Sequence, residues 1–280
     1  MTTGMLAIDA TAREVVGRAI LITGAARSGT TMMGGLVQSL DGVEYIFEPP
    51  VLYTLMPLID RISAPDWQLL YETYLFEDVL LETLGGRRLN FNIHDDSHIY
   101  RTKSEDDIRK RLSKSHRRHE LVAQAQASSI AYKMADMIPF LPSLITLFPM
   151  MTAIVMLRRP DHVIASVLAK GWFTDRSLRE APGVWPFRRH GGLAVPFWIP
   201  VDEIDAWASA GELERCARYY LYMYEPAPPP SAIVIDYDAF VAASADTFDK
   251  PIVRLGRTAG SKTAALLSEG VPQPAQAPPP

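Results

Sequence analysis

The sequence has a single cysteine, no long apolar run and no excess of positive charge. One cysteine, Cys216, in 280 residues excludes an internal disulfide and a cysteine-built zinc site, which suits a reducing compartment. The longest apolar stretch, SLITLFPMMTAIVML (143–157), is broken by Pro149 and falls short of the about 20 residues that span a bilayer. The opening residues, MTTGMLAIDATAREVV, lack a basic segment followed by an apolar core, so they do not read as a signal peptide, and the expected location is cytoplasmic. Lys and Arg number 28 against 32 Asp and Glu, a net charge of −4. That balance argues against a general affinity for nucleic acid, so any anion site has to be local.

What is present is an ordinary globular composition, 48% hydrophobic and 21% charged, on a chain long enough for one large domain. Three short runs, RAILIT (18–23), TAIVMLR (152–158) and AIVID (232–236), are apolar on both faces and bounded by turn or helix signals, as buried parallel strands are. Helical patterns lie between and after them at 29–40, 67–84, 106–127, 161–170 and 202–224. Strands alternating with helices predict one α/β domain with a mostly parallel sheet flanked by helices. The expected boundaries are an N-terminal extension over 1–17, the domain over 18–270 and a Pro-rich tail over 271–280. The connector YEPAPPPSA (224–232) has core-like segments on both sides and is read as internal to the domain.

A further absence concerns residues 24–31, Gly-Ala-Ala-Arg-Ser-Gly-Thr-Thr, which follow the first strand and open the first helix. They fit the phosphate-loop template G-x-x-x-x-G-K-[ST] except that Thr30 stands where the lysine belongs, and Arg27 sits inside the loop. A glycine-rich turn of this kind aims backbone N–H groups and the positive end of a helix at one point, and Ser28, Thr30 and Thr31 add hydroxyl donors. In nucleotide hydrolases and kinases the missing lysine reaches the β- and γ-phosphates, and the next Ser or Thr holds Mg²⁺. The strand AIVML ends in arginines rather than in a magnesium-holding aspartate. AIVID does end in Asp236, which keeps a P-loop kinase or NTPase as one alternative.

Arg27-Ser28-Gly29-Thr30-Thr31 resembles the 5′-phosphosulfate loop of the sulfotransferases, typically [KR]-S-G-T-T. Two further segments are similar to that family's motifs in the family's order. Arg158, Pro160 and Ser166 match an R-x-P…S motif for a 3′-phosphate, and Tyr237-Asp238 matches a Tyr-Glu segment whose tyrosine lies beside adenine. The resemblance implies a P-loop-type fold and 3′-phosphoadenosine-5′-phosphosulfate (PAPS) as sulfuryl donor, with the bisphosphate PAP as product and no metal. It implies Arg27, Ser28, Gly29, Thr30, Thr31, Arg158, Ser166 and Tyr237 as donor-binding residues. A donor without β- and γ-phosphates would also account for the absent lysine.

For catalysis the resemblance implies Glu48, Lys133 and Arg27. Arg27 would stabilise the bridging oxygen as the phosphate leaves. Glu48, in the rigid segment EYIFEPP, matches the acidic base of the carbohydrate and tyrosylprotein branches, with Glu44 as its competitor. Lys133 in AYKMAD would stabilise the sulfuryl oxygens. Ala135 stands where the cytosolic branch has its histidine base, which favours the glutamate branch.

Arg254, Arg257 and Lys262 form a late basic cluster of the kind that closes the 3′-phosphate site in such proteins. The R-K-G-x-x-G pattern is missing, and no individual role follows. The acceptor is expected to be a hydroxyl of a carbohydrate or other small molecule. Residues 171–210 hold Trp172, Trp185, Trp198 and Trp207 with Arg188 and Arg189, which suits either an acceptor platform or a lid packing its own aromatics. HDDSH (94–98) reads as a polar loop rather than a metal site, and 101–120 as a solvated helix. A non-catalytic nucleotide-binding protein on the same fold is the other alternative.

Overall fold

Five strands run parallel in one sheet, in the order β2-β3-β1-β4-β7. They are β1 (Ile20–Gly24), β2 (Val43–Phe47), β3 (Ser129–Lys133), β4 (Thr152–Leu157) and β7 (Ile233–Asp236). β5 (Phe187–His190) and β6 (Leu193–Pro196) form a separate antiparallel hairpin. The computed structural model describes residues 6–113, 117–180 and 186–268. The three apolar runs of the sequence are β1, β4 and β7. The two missed strands, VEYIF and SIAYK, carry Glu44 and Lys133 and so lack the apolar character of the others. Glu44 is tolerated because Arg111 Nη1 donates to it at 2.6 Å, in keeping with the rule that buried charges are paired.

Alternation along the strands divides the core. Leu21, Tyr132 and Val155 pack on one side with Trp67, Tyr71 and Leu75. Ile20, Ile22, Ala131, Ile154 and Met156 face the other side, against Met33, Leu36 and Val37 of α2 (Thr30–Ser39) and against Phe240 and Phe248. Both sheet faces are covered, which is why these strands read as continuously apolar. Residues 10–17, taken from the sequence as part of an extension, form the helix α1 (Ala10–Gly17), capped by Asp9. Its Ala12, Val15 and Val16 are buried in the first core.

The helical stretch read at 67–84 begins earlier, at Ala64, and is wound as a π-helix over Tyr74–Leu81. The one read at 106–127 is two helices, Glu105–Leu112 and Arg118–Ala127; residues 114–116 lie outside the described residues. The one read at 202–224 divides into Ile204–Ser209 and Glu212–Tyr224, because Ala210 and Gly211 are extended. A third apolar cluster joins the Pro160–Leu168 helix, the β5–β6 hairpin and the Glu212–Tyr224 helix. The tail 271–280 lies outside the described residues, and among those described no helix is long and apolar enough to cross a membrane.

Candidate active site

In open α/β sheets, ligands bind beyond the carboxyl ends of the strands. Here those ends carry Glu48 after β2, Lys133 and Asp136 after β3, the loop 25–29 after β1, Arg158 after β4 and Tyr237 after β7. Among the described residues only three non-glycine residues have positive φ: Arg27 at 73°, Glu48 at 41° and Asp136 at 68°. All three sit on this edge. Strained backbone of this kind persists where the surroundings enforce it and clusters at functional sites.

The loop is held from behind. Ala25 N–H donates to Tyr224 Oη at 3.0 Å, and Tyr224 in turn donates to the Met156 carbonyl at 2.8 Å. Ala26 N–H donates to Asp136 Oδ1 at 3.1 Å and to Tyr219 Oη, and the Tyr219 hydroxyl donates to the same carboxylate. Asp136 N–H returns to the Gly24 carbonyl at 2.9 Å. Asp136 is buried, and burial pushes its carboxyl up to about 6 against the opposing effects of Tyr219, Ala26 and Lys133. Sequence reading missed Asp136; its sole linear signal is its place three residues after Lys133.

The front of the loop is open. Ser28 is buried, with its hydroxyl donating to the Ala25 carbonyl at 2.6 Å. Arg27, Gly29, Thr30 and Thr31 open α2 with main-chain N–H groups that no described residue accepts. Gly29 has φ 91°, and a Cβ there would lie 2.2 Å from the Tyr237 ring, so no larger residue fits this turn. Arg27 Nε donates to Ser166 Oγ at 3.0 Å, and Arg158 Nη1 donates to the Arg27 carbonyl at 2.8 Å. The Arg158 guanidinium lies 4.6 Å from the centre of the Tyr237 ring, and its Nε is buried without a partner among the described residues. Tyr237 is therefore wedged between Gly29 and Arg158. Neither Arg27 nor Arg158 forms a salt bridge with any described carboxylate.

Beside the loop, Lys133 Nζ donates to Glu48 Oε1, and Glu48 N–H donates to the Lys133 carbonyl at 2.9 Å. The ammonium is 4.6 Å from the Phe47 ring centre. The Lys133 side chain is 5% exposed and that of Glu48 is 34% exposed, so the carboxylate is the half of the pair that meets solvent. Burial, and after it the Glu48 charge, hold Tyr53 as a neutral phenol against that carboxylate. Of the two glutamates weighed from sequence, Glu48 is the one joined to Lys133, whereas Glu44 is taken by Arg111.

Other expectations resolve differently. Arg254 Nη1 and Nη2 donate to the carbonyls of Ala232 and Ser231, and Arg257 donates to Ser129 Oγ and the Ala127 carbonyl. These acceptors precede or open β7 and β3. The two arginines therefore brace the amino ends of these strands, opposite the ends that carry the loop. Asp236 accepts from Ala239 N–H at 2.9 Å as a helix cap. Trp198 and Trp207 cross at 88° with centroids 5.3 Å apart, and Phe173 lies 5.2 Å from Trp207. The tryptophans of 171–210 thus pack among their own aromatics, apart from Trp185, which lies outside the described residues. Cys216 is buried in this cluster, and burial pushes its thiol up to about 11. Among the described residues no group of three His, Cys, Asp or Glu side chains could hold a metal ion.

The sequence model of the group described as Sulfotransferase family matches residues 19–188. Among solved structures, the chain is similar to sulfotransferase STF9 from Mycobacterium avium at 13% identity, over 91% of this chain and 67% of that one, with a TM-score of 0.43. It is also similar to sulfotransferase STF1 from Mycobacterium tuberculosis H37Rv at 15% identity, over 90% of this chain and 70% of that one, with a TM-score of 0.38. No curated protein matches the chain.

Proposed function

We propose, from the premise that this chain belongs to the sulfotransferase family, that it binds PAPS at the 25–31 loop and transfers its sulfuryl group to a small-molecule hydroxyl. One observation carries this reading. Arg27 and Arg158, the latter bonded to the Arg27 carbonyl, stand at the mouth of a loop with open N–H donors, and neither is paired with a carboxylate among the described residues. In a chain of net charge −4 that is a local anion site. The buried, unpartnered Arg158 Nε fits a phosphate acceptor in the same place.

In this reading the N–H groups of Arg27, Gly29, Thr30 and Thr31, with the Ser28, Thr30 and Thr31 side chains, cradle the 5′-phosphosulfate. Arg158 and Ser166 hold the 3′-phosphate, and Tyr237 braces Arg158 along the adenine side. The donor supplies an activated sulfuryl group. Glu48 orients the acceptor hydroxyl and takes its proton. Lys133 and Arg27 offset the charge that develops on the sulfuryl and bridging oxygens. The Glu48–Lys133 pair and the loop share Asp136 as a neighbour, since Asp136 bonds Ala26 and feels the charges of Lys133 and Glu48.

Calorimetric titration with PAP tests the donor site, run against ATP with and without Mg²⁺. Tight, metal-independent binding of PAP is expected. Arg158→Ala should weaken it by about 10- to 100-fold, the equivalent of ~1.5–3 kcal/mol for a hydrogen bond to a charged group. Mg²⁺-dependent ATP binding with no preference for the 3′-phosphate would instead support a kinase or NTPase.

A further inference from the structure

Four of the chain's 11 tyrosines, Tyr219, Tyr220, Tyr222 and Tyr224, crowd the carboxyl end of the Glu212–Tyr224 helix. Aromatic side chains lose χ1 freedom in a helix, so intrinsic propensity does not favour the clustering. A buried phenol also needs a partner for its hydroxyl. Tyr222 donates to Glu203, in the segment before the helix. The other three all end on the main chain of the candidate site.

Tyr219, 1% exposed, accepts from Ala26 N–H and donates to Asp136. Tyr224 accepts from Ala25 N–H at 3.0 Å and donates to the Met156 carbonyl at 2.8 Å. Tyr220, whose ring lies 4.7 Å from that of Tyr224, donates to the Arg158 carbonyl at 3.0 Å. One helix end thus bonds both the loop after β1 and the end of β4. Past the last β1–β4 pairing, Gly24 with Met156, the direct bonds across this gap are Arg158 to the Arg27 carbonyl and Arg27 to Ser166. Both are made by guanidinium groups, which a phosphate would draw away. The tyrosine bonds hold main-chain atoms and survive that exchange.

The helix itself is fixed at its other end. Arg215, 2% exposed, donates to the carbonyls of Phe173, Trp207 and Ala208 and to the Asp175 carboxylate. The Tyr219 ring packs 5.1 Å from Trp198 and 5.4 Å from Phe173. The aromatic cluster of 171–210 therefore buttresses the element that reaches the loop.

We infer that Tyr219, Tyr220 and Tyr224 are positioning residues that fix the separation between the 5′-phosphosulfate loop and the Arg158 arm, so that the site selects a 3′,5′-bisphosphate over a 5′-monophosphate. The inference rests on the sulfotransferase reading above.

The experiment uses the full chain and calorimetry, with PAP titrated directly and AMP, which lacks the 3′-phosphate, by displacement of PAP. Tyr220→Phe keeps the ring against Tyr224 and deletes the bond to Arg158. It should weaken PAP by about fivefold, the effect of one hydrogen bond between neutral groups, and leave AMP within about twofold. In an Arg158→Ala background the same change should cost nothing further, because Tyr220 acts through that residue. Tyr224→Phe, which frees the loop from β4, should weaken PAP and AMP alike. An equal loss for both ligands in Tyr220→Phe, or a lower thermal midpoint with neither affinity changed, would make the phenol purely structural. Either result, or full additivity with Arg158→Ala, would overturn the inference and leave the donor reading standing. Failure of the wild-type protein to bind PAP would overturn the donor reading, and this one with it.

Discussion

Glu48→Gln is expected to lower kcat by about 10²–10⁴, the usual contribution of a positioned general base, while leaving PAP affinity within about twofold. The reason lies in how the residue is held. Glu48 follows the last residue of β2 in a positive-φ conformation, pinned by its N–H to the Lys133 carbonyl at 2.9 Å and by its carboxylate to Lys133 Nζ. Glutamine keeps the size, and its Oε1 can still accept from Lys133, so the backbone and the loop have no reason to move. What it cannot do is take a proton. Steady-state turnover with labelled PAPS, paired with calorimetry for PAP, separates the two effects. An unchanged kcat would remove Glu48 as the base. A parallel loss of PAP affinity would make it a structural residue of the donor site. Unchanged PAP binding in a protein that never turns over any acceptor, with Glu48 or without it, would favour a non-catalytic binding protein.

The second large effect concerns stability. Asp136 has its carboxyl pushed from 3.8 to about 6, chiefly by burial. A raised acid pKa means that the folded protein holds the proton at a pH where the unfolded chain has released it. The stabilisation is complete below pH 3.8 and is lost as pH rises through about 6. At ~1.36 kcal/mol per pKa unit, about 2 kcal/mol of this falls between pH 4 and pH 7. Asp136→Asn has no such proton to lose. The difference in unfolding free energy between Asp136→Asn and wild type should therefore grow by about 2 kcal/mol in favour of the asparagine variant as pH goes from 4 to 7. The groups facing Asp136 are Tyr219, the Ala26 N–H, Lys133 and Glu48. Denaturant melts of both proteins at several pH values check this, and a difference that stays flat with pH would refute it. The carboxylate accepts from Ala26 N–H and so holds the loop in place at some expense of stability. This is the trade expected where a site needs strain.

Much of the molecule was legible in the linear chain. RAILIT followed by a glycine-bracketed turn announced β1, its loop and α2, since a buried strand needs apolar residues on both faces and the turn needs Gly29 at φ 91°. Arg158 and Tyr237 were singled out by resemblance to a family's motifs, and each follows an apolar run that is a strand, β4 and β7. The strands VEYIF and SIAYK were harder to read, because each contains a charge whose partner is distant in sequence: Arg111 for Glu44 and Glu48 for Lys133. Helix continuity over 106–127 and 202–224 was overestimated because periodicity does not register the breaks near 113–117 and at Ala210 and Gly211. Arg254 and Arg257 look like anion ligands as a linear cluster, yet they are spent on carbonyls and a serine at the amino ends of the strands.

The sequence by itself determined the local chemistry: which turn can present N–H groups to an anion, which residues end buried strands, and which lysine a P-loop lacks. These are properties of neighbours in the chain, governed by backbone geometry and apolar periodicity. The tertiary structure alone decided which charges meet. The order β2-β3-β1-β4-β7 places Glu48 against Lys133, Asp136 behind Ala26 and Arg158 over Tyr237, and it leaves the outer edge of β2 open onto a cavity. Pairing across strands depends on sheet order and on burial. Neither is written in the spacing of residues along the chain, so the site's electrostatics became readable only once the strands were side by side.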